Sequence, residues 1–112
     1  MFEAELKEGI KFRRIIEKLK GIGYVFNLRI SETGLLLQSM SLNLDILIQL
    51  NLDKSYFDRY ICTTTYVILS YIPLLNELIE GIDESYSIKL NYDEASRNLI
   101  INLNNKGKFE SF

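Results

Sequence analysis

Five basic side chains fall between positions 11 and 20: Lys11, Arg13, Arg14, Lys18 and Lys20. Phe12, Ile15, Ile16 and Leu19 are interleaved with them at i, i+3, i+4 and i+7, the spacing of one buried helical stripe. The pattern predicts a short amphipathic helix with its apolar side in the core and its cations in solvent. Glu17 is the one acid in the stretch, so the helix carries +4 on a chain whose formal charge is −2, leaving −6 elsewhere. A cation cluster kept apart from an acidic background suggests an anion-binding surface. The plain alternative is a solvated helix face.

Other chemistry is poorly supplied. There is no histidine, so the usual proton shuttle and metal ligand is missing. Cys62 is the single cysteine, which rules out an intrachain disulfide, a Cys/His zinc site and a Cys–His nucleophile pair; it reads as a small buried hydrophobe in a reducing compartment. Asp83-Glu84 and Asp93-Glu94 pair their acids where turns are expected, the usual place for solvated carboxylates. Gly21-Ile22-Gly23 follows a helix, whereas nucleotide loops follow a strand and open one. The expectation is a protein that is not an enzyme and needs no cofactor and no metal. No apolar run approaches bilayer length, so no membrane partner is expected, and Met1-Phe2-Glu3-Ala4-Glu5 is wrong for a signal peptide.

The cations need a scaffold, and the periodicities outline one. Phe2, Ala4 and Leu6 alternate with acids as a half-buried strand. After the basic helix, Phe26, Leu28 and Ile30 alternate, and Ser31-Glu32-Thr33-Gly34 turns into a strand from Leu35 to Met40. Leu44, Ile46, Ile48, Leu50 and Leu52 give the clearest alternation in the chain. Tyr66 to Ser70 reads as a strand, Pro73 opens a second helix whose buried face is Leu74, Leu75 and Leu78, and Gly81 ends it. Tyr86 to Tyr92 and Leu99 to Leu103 alternate again, and a short strand is expected from Lys108 to Phe112. Strand, helix, then consecutive strands occur twice, a weak internal duplication. With no linker composition in sight, residues 1–112 are expected to form one α+β domain, two helices packed on a largely antiparallel sheet.

With the strands placed, Met1-Phe2-Glu3-Ala4, Leu37-Gln38-Ser39-Met40, Gln49-Leu50 and Phe57-Asp58-Arg59-Tyr60-Ile61-Cys62 resemble, in order and spacing, the start of the eukaryotic sliding clamp, proliferating cell nuclear antigen. The resemblance covers essentially the whole chain but only the N-terminal domain of such a clamp. It implies a DNA-clamp (processivity-factor) fold, a duplicated β-α-β-β-β unit. It also implies a nuclear protein that does no chemistry: domains close into a ring around duplex DNA, a clamp loader places it, and it tethers DNA polymerase and repair clients. By position, Lys11, Arg13, Arg14, Lys18 and Lys20 become DNA-facing cations that touch backbone and not bases. Met40, Leu44 and Leu47 become lining of the client groove. Lys108, Phe109 and Phe112 become the subunit interface, and the expected assembly partner is a homo-oligomeric ring or a missing second domain.

Three departures bear on that reading. Asn76, Glu77 and Glu80 stand where the family usually has a second basic helix face. Leu44 is apolar where relatives often have histidine, and Asp45 replaces an apolar residue. The linker, second domain and tail that complete the family's groove and ring lie outside these 112 residues. The alternative is a clamp-derived interaction module that no longer encircles DNA. A single-stranded RNA binder of similar element order would need exposed strand aromatics within a Gly- and Lys/Arg-containing motif, and no strand carries one.

Overall fold

The computed structural model describes residues 1–40, Met40 by its backbone alone, and residues 45–105. Period-two apolar runs form the strands, as their patterning dictates. In β1 (Phe2–Leu6), Phe2, Ala4 and Leu6 are buried while Glu3 and Glu5 are half-exposed. In β2 (Val25–Ser31), Phe26, Leu28 and Ile30 are buried. The turn into β3 (Gly34–Met40) requires glycine: Gly34 has φ +147°, and a Cβ there would sit 2.1 Å from the Leu52 carbonyl oxygen of the next strand. That strand, β4 (Leu47–Asp53), begins later than its alternation suggests. Ile46 lies before it and is exposed, and Leu44 lies outside the described residues.

A 3₁₀ turn at Lys54–Tyr56 leads to β5 (Arg59–Cys62), which the sequence pattern does not announce. It is four residues long, and none of them is fully buried. Cys62, expected to be buried, is half-buried at its end, with Sγ 3.1 Å from the Thr64 carbonyl. β6 (Tyr66–Tyr71) runs directly into a helix, and β7 (Tyr86–Asp93) and β8 (Asn98–Asn105) complete the described chain. The expected strand at Lys108–Phe112 lies outside the described residues.

Where the sequence suggests one sheet, the structure has two four-stranded antiparallel sheets, ordered β5-β1-β7-β8 and β4-β3-β2-β6. The split follows from the duplication. β1 pairs with β7 of the later repeat, and β6 pairs with β2 of the earlier one. Each repeat therefore places its first strand in the sheet of the other's hairpin, and each helix crosses from one sheet to the other. Helix α1 (Ile10–Lys20) joins β1 to β2, and α2 (Ile72–Ile79) joins β6 to β7. The helices pack on each other and run antiparallel: Ile72, at the start of α2, donates its amide to the Tyr24 carbonyl just past α1 (2.8 Å).

One hydrophobic cluster draws on both sheets and both helices, with Phe2, Ile16, Phe26, Ile30, Leu35, Ile72, Ile79 and Ile88 essentially inaccessible. Each such side chain contributes roughly 1.5–3 kcal/mol by leaving water. Tyr60 of β5 adds a polar tie between the sheets, donating its hydroxyl to the Ser31 carbonyl at 2.6 Å; burial raises its pKa well above the ordinary phenol range. Among the described residues no helix is long and apolar enough to cross a membrane.

Candidate nucleic-acid interface and client groove

Helix α1 sits as its spacing predicts. Phe12, Ile16 and Leu19 are buried and Ile15 half-buried, which turns the cations outward. Its start is held by close approach to β7: the Gly9 amide donates to the Tyr86 carbonyl (2.9 Å), and a Cβ on Gly9 would meet Ile88 at 2.9 Å. Lys18 and Lys20 occupy the last turn, where the helix dipole favours positive charge.

The five cations are not equivalent. Lys11 pairs with Glu8 at 3.5 Å, both side chains well exposed, an interaction worth at most about 1 kcal/mol and easily exchanged for another anion. Arg14, Lys18 and Lys20 are exposed, with no ion pair or hydrogen bond to any described residue. Arg14 nevertheless shares a surface hollow with Glu8 and Glu84. Arg13 turns inward: its side chain is 26% exposed, Nη1 donates to the Ile82 carbonyl at 2.6 Å, and Nε lies 3.2 Å from Glu17. That last contact is a charge pairing and not a directed hydrogen bond, since the buried Nε has no hydrogen-bond partner.

The face of α2 differs from the expected one. Leu74 and Leu78, expected to be buried, are 52% and 65% exposed, and Leu75 is half-buried. The buried stripe is Ile72, Asn76 and Ile79. The helix begins at Ile72, immediately after β6, so the 3.6-residue repeat counts from there and not from the leucines. Asn76 is 4% exposed, and its Oδ1 is buried without a hydrogen-bond partner. Glu77 and Glu80 are exposed and line an open hollow of about 550 Å³ that Lys20 of α1 also lines. The acids thus share a surface with the last cation of the basic helix.

Of the groove residues, Leu47 is 54% exposed at the start of β4 and its backbone is paired with Met40 at the end of β3; Leu44 lies outside the described residues. Lys108, Phe109 and Phe112 lie outside them as well. Asp83, Glu84 and Glu94 lie between the regular elements, as expected, and Asp93 is the last residue of β7. Asp83 accepts from the amide and hydroxyl of Ser85, and Asp93 from Ala95 and Ser96; these hydrogen bonds lower both carboxyl pKa values. Among the described residues no group of three or more acids or cysteines is placed to hold a metal ion.

Apolar exposure is the feature sequence reading missed. Val67, Leu69 and Tyr71 of the edge strand β6 are exposed together with Leu74 and Leu78. Tyr66 to Tyr71 has side chains of similar character on both faces, so periodicity could not assign one face to solvent.

Two helices side by side, each bridging two antiparallel sheets built from a duplicated unit, with solvent-facing cations along one of them, define a domain of the DNA-clamp class. The chain belongs to the family described as proliferating cell nuclear antigen, N-terminal domain, whose model matches residues 1–112. It is similar to proliferating cell nuclear antigen 2 of Plasmodium falciparum, 27% identical over 103 residues, which covers 92% of this chain and 39% of the relative. It is also similar to proliferating cell nuclear antigen 1 of the same organism, 30% identical over 114 residues, covering 100% of this chain and 42% of the relative. The chain therefore spans about two fifths of the length of these relatives.

Proposed function

We propose that this chain is one domain of a nuclear sliding clamp: it joins further clamp domains, in other copies or in a second domain, to form a ring around duplex DNA, and tethers polymerase and repair enzymes there without catalysing a reaction. The observation that carries the reading is the set of exposed cations Arg14, Lys18 and Lys20 on the solvent side of α1, which have no side-chain partner among the described residues. Point charges on a helix without base-reading side chains suit contact with phosphates, which attracts duplex DNA and leaves it free to slide. The acidic remainder of the chain discourages DNA from settling elsewhere. Exposed Leu47 beside the end of β3 supports a groove for client peptides; Met40 and Leu44 are assigned to it from the family resemblance alone. Exposed Leu74 and Leu78 support assembly, since a monomer gains nothing from leaving them in water. Lys108, Phe109 and Phe112 are assigned to the subunit contact, and a clamp loader to ring opening.

The test is reversal of Arg14, Lys18 and Lys20 to glutamate. Affinity of the assembled protein for duplex DNA at about 0.1 M salt is expected to fall roughly a hundredfold, with a flatter salt dependence. Unchanged binding overturns the reading.

One observation favours a second reading, a clamp-derived interaction module that no longer encircles DNA: Glu77 and Glu80 face the same hollow as Lys20. Light scattering separates the two. A closed multimer supports the clamp, and a stable monomer that ignores DNA supports the module.

A further inference from the structure

We propose that Arg13 is a positioning residue, a strut that braces α1 against the far end of α2, and not one of the side chains that meets DNA. The inference rests on reading α1 as the DNA-facing wall and reassigns one of its five cations. Arg13 stands at the start of α1, and Ile82, whose carbonyl it holds, lies three residues past the end of α2. Because the helices run antiparallel, that bond closes one end of the pair, while the Ile72 amide to the Tyr24 carbonyl closes the other. Ile82 is itself buried, so the carbonyl is a fixed anchor.

The chemistry selects arginine. The planar guanidinium reaches the Ile82 carbonyl with one nitrogen and lies against Glu17 with another, which a single ammonium cannot do in the same geometry. Its charge also adds to the hydrogen bonds from Ser85 in stabilising the Asp83 carboxylate next to the anchor. A side chain so committed is a poor phosphate ligand. Arg14, one position along and turned about 100° around the helix, is exposed, has no side-chain partner among the described residues, and is the residue that extends to the anion.

Arg13→Lys, Arg13→Gln and Arg14→Gln in the full chain test this through two readouts, the thermal midpoint and the slope of log affinity for duplex DNA against log salt. Arg13→Lys and Arg13→Gln are expected to lower the midpoint by about 5 °C or more and to change the slope by less than about 0.3. Arg14→Gln is expected to leave the midpoint in place and flatten the slope by about 0.9 per domain engaged. The proposal is overturned if Arg13→Gln flattens the slope as fully as Arg14→Gln, or if Arg13→Lys leaves the midpoint unmoved. If Arg14→Gln leaves the slope unaltered, the DNA-wall reading fails, and the midpoint of Arg13→Lys still decides the strut.

Discussion

Helices α1 and α2 occupy equivalent places in the two repeats and have diverged in opposite directions. Each follows the first strand of its repeat, crosses between the sheets and packs on the other. Yet α1 hides a purely apolar stripe and shows cations, with lysines placed to complement its C-terminal dipole. Helix α2 hides an asparagine, shows leucines, and puts Glu77 and Glu80 near its C-terminal end, where negative charge opposes the dipole. Topology is therefore shared while surface chemistry is not. The cations of the two helices lie on α1 alone, and the hollow lined by residues of both helices carries both signs of charge.

The largest effect that would break this comparison lies in the core. Ile16 of α1 and Ile79 of α2 are both almost fully buried. Truncating either to alanine is expected to cost about 2–5 kcal/mol, from lost burial plus the cavity left behind. Chemical denaturation of the two variants checks whether the repeats are equal partners in one cooperative unit. A much smaller loss for Ile79→Ala would show that the shorter helix is a loosely held appendage.

A smaller effect sharpens the electrostatic contrast. Replacing Glu77 and Glu80 with lysine removes two acids from the hollow that Lys20 also lines and restores a favourable charge at the end of α2. Duplex-DNA affinity at about 0.1 M salt is expected to rise roughly tenfold, and the salt slope to steepen by up to about 0.9 for each lysine that reaches a phosphate. The helix should gain about 0.3–1 kcal/mol from the dipole alone. Titrations at several salt concentrations separate these terms. A stability gain with no change in DNA binding would mean that the acids do not face the DNA even though they line the same hollow.

How much of this was legible beforehand depends on how local each signal is. Phe2, Ala4 and Leu6, or Phe26, Leu28 and Ile30, alternate against polar neighbours, and their strands and buried faces follow directly. The stripe of α1 was equally plain because every residue between its apolar positions is charged. The face of α2 was not, because Ile72, Leu74, Leu75, Leu78 and Ile79 offer more apolar residues than one stripe can bury, and the choice depends on where β6 ends. The second sheet was invisible for a similar reason: which repeat's hairpin receives β1 or β6 is a long-range pairing with no local mark. Arg13 and Arg14 are the sharpest case. They are neighbours of one residue type, and what separates them is a carbonyl 69 positions away.

Asn76 gives the finest test of how the two stripes differ. It occupies the α2 position that matches Ile16 in the middle of α1, and it is buried along with Ile72 and Ile79. Its Oδ1 is buried without a donor, which costs about 1–3 kcal/mol of uncompensated desolvation. Leucine has a similar branching pattern, no polar atoms and a better helix propensity. Its added bulk works against it, since extra methyl groups in a packed core force neighbours to shift. A small void between the helices and both sheets, lined by Phe12, Ile16, Ile72 and Leu75 among others, leaves the surroundings some room to adjust. Asn76→Leu is therefore expected to raise stability by about 1 kcal/mol, read from the denaturation midpoint. Loss of stability instead would mean that the amide makes a polar contact inside the domain that is worth keeping.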